Sequence, residues 1–179
     1  NQPFDQYLNN NFYKPLGLTK FGFNPINNFP VSTIVPTEND TVFRKQLIKG
    51  YVHDPAAAMM GGVSGNAGLF GTANDLAVIM QMLLNKGSYG GISYLNPATV
   101  DLFTKQQFVH NNNRRGLLFD KPEPDSTKIS PCSKEASLST FGHQGFTGTC
   151  AWADPENELI YIFLSNRVNP DAKNDKLVK

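Results

Sequence analysis

Cysteine is scarce in this 179-residue chain: only Cys132 and Cys150 occur, too few for a disulfide scaffold and without the close paired spacing of a metal site. They read as ordinary thiols, with one bridge between them as the open alternative. A charge excess of either sign is lacking as well. The 16 Lys plus Arg against 15 Asp plus Glu leave a formal net charge of +1, which argues against the clustered basic surface of a nucleic-acid-binding module. Long hydrophobic runs are missing: none approaches the ~20 residues that cross a bilayer. The opening Asn1-Gln2-Pro3-Phe4-Asp5 has neither the basic start nor the apolar stretch of a signal peptide, so an export signal is expected either outside this chain or not at all. No repeat recurs at periods of ~20 to 50 residues, which sets solenoids and propellers aside. What is present is globular in character. With 40% hydrophobic and 11% aromatic residues, the chain has material for one core, and a single domain is the default.

Local patterns outline the elements. Phe4, Leu8 and Phe12 fall at i, i+4 and i+8, the stripe of a short helix that must stop before Pro15. From Thr19 to about Asp54, Pro, Asn and isolated aromatics follow no period, which predicts a long irregular excursion. The clearest helix is expected from Ala73 to Asn85. Thr72 caps it with Asp75 three residues on, Leu76, Ile79, Met80 and Leu83 make its apolar stripe, and Gly87 stops it. Met80 and Met82 read as core filler. A second helix is expected from Pro97 to about Lys105, capped by Asn96, with Val100 and Phe103 facing inward.

The last third reads as strands: Thr140 to Gly145, Thr149 to Ala153 and Leu159 to Ser165, with Asp154-Pro155-Glu156-Asn157 turning between the last two. The run Leu159-Ile160-Tyr161-Ile162-Phe163-Leu164 is apolar on both faces, which predicts a central strand covered on both sides. Helices and an antiparallel end segregate along the chain, the pattern of an α+β fold.

The stretch Phe141-Gly142-His143-Gln144-Gly145-Phe146-Thr147-Gly148-Thr149 holds the most chemical information. Three glycines around one His weaken a strand, so something is expected to approach that backbone closely, either a ligand edge or a neighbouring bulge. His53-Asp54 could be an acid–base pair, although Asp54-Pro55 is also a natural turn. His110 lies beside Asn111-Asn112-Asn113, which reads as a solvated loop, and Arg114-Arg115 is a two-residue charge pair too short to suggest nucleic acid. Trp152 is expected in the core.

Gly142-His143-Gln144-Gly145-Phe146-Thr147-Gly148-Thr149, Trp152-x-Asp154-Pro155-Glu156 and Leu164-Ser165-Asn166-Arg167-Val168-Asn169-Pro170 together resemble the C-terminal strands of the serine β-lactamase and penicillin-binding-protein superfamily, in its class C-like esterase branch. Val52-His53-Asp54-Pro55 with Gly61 to Leu76 resembles that family's loop into a long helix. Phe4-Asp5-x-Tyr7-Leu8 with Pro15-Leu16-Gly17-Leu18 resembles its segment after the second active-site motif. The resemblance implies a β-lactamase/transpeptidase-like fold, an antiparallel sheet flanked by helices, of which residues 1–179 would be the C-terminal part. It places the family's third motif on His143-Gln144-Gly145. His143 would orient the proton-transfer network and a substrate carboxylate, and the backbone N–H of Phe146 would donate into the oxyanion hole. Gln144, Gly145 and Thr147 would line the bound substrate. No metal and no organic cofactor are implied. A His where true lactamases usually carry Lys favours esterase- or peptidase-like work.

One requirement of that chemistry is unmet. Acyl transfer in this family needs a serine with a lysine three residues later, so that the amine reaches the hydroxyl. No serine of the chain has a lysine at that position. Tyr7-Leu8-Asn9 and Ser64-Gly65-Asn66 resemble the second motif only superficially, the first as ordinary helix, the second as a turn. The nucleophile is therefore expected in a preceding N-terminal part, and the chain alone is expected to be inactive. The whole would act through a serine acyl-enzyme on an ester, amide or cell-wall-type peptidoglycan substrate. A periplasmic or envelope location follows from the resemblance alone. The alternative is a non-catalytic binding or scaffold module of the same fold, possibly attached to a larger envelope glycoside hydrolase.

Overall fold

The computed structural model describes residues 1–173 and divides into two compact units. The first contains Asn1–Asp75, Phe146–Thr149 and the residues from Leu164 onward; the second contains Leu76–Gly145 and Cys150–Phe163.

The first unit opens with α1 (Phe4–Leu8), which widens into a π-helical turn over Asn9–Tyr13. A π turn inserts an extra residue into the helical spacing and so rotates the residues after it about the helix axis. The buried side chains are accordingly Tyr13, Leu16 and Leu18, while Phe4 stays 47% exposed with its ring beside Phe23. The expected Phe4/Leu8/Phe12 stripe is thus not the buried face. Burial pushes the Tyr13 hydroxyl up to about 12, and its ring meets Phe21 edge-on at 5.1 Å.

The segment expected to be irregular holds regular structure. β1 (Gly22–Phe23) pairs later in the unit with Leu69–Phe70, and β2 (Pro36–Asp40) forms an antiparallel hairpin with β3 (Gln46–Lys49). The hairpin escapes a pattern reading because Thr37-Glu38-Asn39-Asp40 has neither alternating apolar residues nor good strand formers. Asp40 builds its turn instead. One carboxylate oxygen accepts from the backbone N–H groups of Val42 and Phe43 at 2.9 Å, the other from the backbone of Arg44 at 2.9 Å and from its Nε at 2.8 Å. Next comes α2 (Pro55–Met59), with Pro55 at its first turn and Asp54 as its cap, accepting from Ala57 N at 2.7 Å. Asp54 therefore serves the helix and is not paired with His53. β4 is the Leu69–Phe70 strand already paired with β1.

The helix α3 (Ala73–Leu84) starts at the end of the first unit, where Thr72 Oγ1 accepts from Asp75 N at 3.2 Å, and from Leu76 onward it belongs to the second. Its end is closed by Gly87 N donating to Met82 O at 2.8 Å, with Lys86 and Gly87 both left-handed. The small hairpin β5 (Ser88–Tyr89) and β6 (Ile92–Ser93) leads into α4 (Pro97–Thr104), where Asn96 accepts from Ala98 N at 2.9 Å. Val100 is buried, but Phe103 is 37% exposed along an open apolar groove of about 270 Å³.

Three strands complete the unit: β7 (Phe141–Gly145), β8 (Thr149–Asp154) and β9 (Leu159–Leu164), in the order β7-β8-β9. Consecutive strands joined by such short turns can only run antiparallel. Met80 of α3, Phe141 and Ala153 form the core, with Ile160 and Ile162 against them. The alternate residues of β9, Leu159, Tyr161 and Phe163, are 58%, 55% and 42% exposed. Among the described residues β8 lies between β7 and β9, and the outward residues of β9 form an open apolar face. Trp152 is buried, as its strand position implied. Both cysteines are free thiols.

Candidate active site

Gly142 is explained by packing. A Cβ at this position would lie 2.1 Å from the carbonyl oxygen of Ala151 and 2.6 Å from the Trp152 ring, so only glycine lets the indole cross β7. The close approach inferred from the glycines is thus, at Gly142, a neighbouring strand. Gly142 also exchanges two backbone hydrogen bonds with Asp120, at 2.8 and 3.0 Å, which draws residues 114–120 alongside β7.

That bridge brings arginines to the motif. Arg114 binds Asp120 through two bonds, at 2.8 and 2.9 Å, and Arg115 reaches the same carboxylate at 3.3 Å. Arg115 Nη1 then lies 3.1 Å from His143 Nε2, while His143 Nδ1 lies 2.7 Å from the Gln144 carbonyl. A guanidinium only donates, so Nε2 accepts here, and the ring proton sits on Nδ1, donating to Gln144 O. This pair of contacts gives the two ring nitrogens different roles. His143 is exposed, and the Arg115 side chain is 45% exposed. Gln144 donates through Nε2 to Pro131 O at 2.8 Å. Arg114-Arg115 is in sequence only a short charge pair; its link to His143 depends on the Asp120–Gly142 bridge, for which the sequence carries no signal.

Phe146 and Thr147 belong to the first unit. Phe146 is 61% exposed, yet its ring has two partners: the His53 ring at 5.0 Å and the Arg167 guanidinium at 4.6 Å. The carbonyl of Thr147 accepts from Arg167 N at 3.1 Å. His53 Nε2 lies 3.3 Å from Glu38 Oε2, so the acid facing it is Glu38 and not Asp54. Glu38 also receives Arg44 Nη2 at 2.5 Å, and Arg44 donates to the carbonyls of Val52 and His53 at 2.6 and 2.9 Å. Arg44 holds the Asp40 carboxyl well below the usual carboxylate range. Glu38 and Arg44 carry no motif in the sequence; five charged residues inside one hairpin, Glu38, Asp40, Arg44, Lys45 and Lys49, are the only signal there.

The two look-alikes of the second motif are local. The Tyr7 carbonyl accepts from Asn11 Nδ2 at 2.8 Å within the opening helix, and Ser64 Oγ bonds Asn66 Oδ1 at 2.6 Å within its own turn. Among the described residues, no group of three or more His, Cys, Asp or Glu is placed to hold a metal ion.

The His-x-Gly thus sits on a glycine-bearing strand, followed by a hairpin whose core packs on the capped helix α3. A family model described as Beta-lactamase matches residues 1–178, and the chain belongs to that family. It is 38% identical over 178 residues to a putative D-alanyl-D-alanine carboxypeptidase of Escherichia coli K12, an alignment covering 93% of this chain and 40% of that protein. Among solved structures it matches a penicillin-binding-protein homologue of Caulobacter crescentus, with a TM-score of 0.59, 22% identity, and coverage of 92% of this chain and 47% of that one. A β-lactamase of Mycobacterium bovis matches with a TM-score of 0.57, 22% identity, and coverage of 92% and 48%. The chain thus spans about two fifths of the curated relative it matches and under half of either structure.

Proposed function

We propose that this chain is the C-terminal part of a serine acyl hydrolase that cleaves a peptide or peptidoglycan-like acyl bond next to a free carboxylate. The observation that carries the reading is the Arg115–His143 pair on edge strand β7. A half-exposed guanidinium beside the His-x-Gly motif, oriented by His143 and Asp120, has further N–H groups with which to meet a carboxylate. A relative named as a carboxypeptidase supports the reading, because such an enzyme acts on a chain end that bears a carboxylate.

In this scheme a serine of a preceding segment attacks the carbonyl, and the developing oxyanion is received by the backbone N–H of Phe146. One such donor lowers the barrier by about 3 kcal/mol. His143 holds Arg115 and does not itself carry the proton of the serine. Gln144, Gly145 and Thr147 supply the wall along which the substrate extends. No metal or cofactor takes part, and an envelope location suits a cell-wall substrate.

The experiment compares full-length protein and its Arg115→Ala variant on a peptide ending in a carboxylate and on the same peptide amidated. The variant is expected to raise KM at least tenfold, the low end of what losing a charged hydrogen bond costs, about 1.5 kcal/mol, for the acid only. Equal effects on both peptides would overturn the reading. Residues 1–179 alone are expected to give no covalent adduct with a fluorophosphonate, and stoichiometric labelling of a serine within them would place the nucleophile here instead.

A further inference from the structure

Phe146 poses a packing question of its own. A phenylalanine that is 61% exposed adds little to a core, yet two separate segments of the first unit reach it. Arg167 places its guanidinium 4.6 Å from the ring centroid, within cation–π range. His53 brings its ring to 5.0 Å at an interplanar angle of 34°. His53 is in turn held by Glu38 at 3.3 Å, and Glu38 by Arg44, which also fixes the His53 carbonyl. The backbone beyond Phe146 is pinned as well. Arg167 N donates to Thr147 O at 3.1 Å, and Ser165 donates through both its N, at 3.2 Å, and its hydroxyl to Gly148 O. Gly148 is left-handed at φ +97°, and a Cβ there would lie 2.4 Å from Ser165 Oγ, so this turn has no slack.

We infer that Glu38, His53 and Arg167 are positioning residues: they clamp the Phe146 ring so that its backbone N–H keeps the direction needed by the oxyanion. The inference rests on the reading of Phe146 as an oxyanion donor. A preorganised donor is effective because it does not reorient during the reaction. A side chain gripped by a cation and a ring removes the rotation that would let this peptide plane swing. None of the three residues needs to touch substrate.

The test uses the full-length protein and a small uncharged ester. His53→Ala and Arg167→Met are expected to lower kcat about tenfold, a part of the roughly hundredfold loss on removing a donor outright, with KM within about twofold. His53→Phe, which keeps a ring against Phe146, is expected to restore most of kcat. Asn96→Ala, which removes the cap of α4 in the other unit, controls for stability and is expected to leave kcat unchanged. Phe146→Pro, which deletes the N–H, separates the two ideas. Loss of kcat in Phe146→Pro with none in His53→Ala and Arg167→Met overturns the clamp and keeps the oxyanion reading. An unchanged kcat in Phe146→Pro overturns that reading itself. A variant that does not fold is replaced by Glu38→Gln, whose unchanged kcat would equally overturn the clamp.

Discussion

At Gly142 the absence of a side chain is itself the structural feature. The Trp152 ring and the Ala151 carbonyl occupy the space a methyl would need, so Gly142→Ala must displace backbone and not merely a flexible side-chain end. It is expected to cost 3 kcal/mol or more, the upper end of overpacking at about 1–3 kcal/mol, read as a lowered urea midpoint. Asp154 shows a single carboxylate organising a turn. Burial opposes its charge, but Ser137 donates from backbone and hydroxyl at 2.9 and 2.6 Å and Asn157 from its amide at 2.8 Å, and these hold its carboxyl well below the ordinary range. A carboxylate lowered in the folded state stabilises above its unfolded value, ~3.9, and that contribution fades as pH falls toward the folded one. Asp154→Asn is therefore expected to flatten the loss of thermal stability below about pH 4. An unchanged acid limb would show that other groups govern it. Asp154-Pro155 was legible as a turn because its own residue types demand one; the Ser137 contacts were not, since they join positions 17 apart.

Elements stabilised by their own neighbours in sequence are the legible ones. α3 and α4 begin at Thr72 and Asn96 because a side-chain oxygen there meets a free helix N–H. Asn96→Ala is expected to cost about 1 kcal/mol, measured as a drop in thermal midpoint. The β2–β3 hairpin is the opposite case. Its strands are polar, and Asp40, Arg44 and Glu38 hold them through side-chain bonds, which no periodicity reports. Arg44→Met is expected to loosen residues 38–53 together. Fast amide exchange across that span in the variant, against slow exchange in wild type, would show it, and unaltered exchange would assign the hairpin's stability to its backbone ladder. The opening helix lies between these cases. Its existence is plain from the sequence, but the π turn at Asn9–Tyr13 moves the buried face from Phe12 to Tyr13.

For the molecule as a whole, β9 is the informative element. An end strand with Leu159, Tyr161 and Phe163 exposed offers both an open ladder and an apolar face, the combination that drives association. Phe163→Lys is expected to shift the sedimentation of residues 1–179 toward monomer, and identical association would place the contact elsewhere. The apolar run of β9 predicts a strand covered on both sides, and within these residues only β8 is paired with it. Residue types alone determined the capped helices and the three C-terminal strands, because capping, alternation and turn formation act over a few residues along the chain. Only the tertiary structure brought Arg115 to His143, Glu38 to His53, and His53 and Arg167 to Phe146. Those pairs join residues 15 to 93 positions apart, and such contacts are decided by how the folded segments pack.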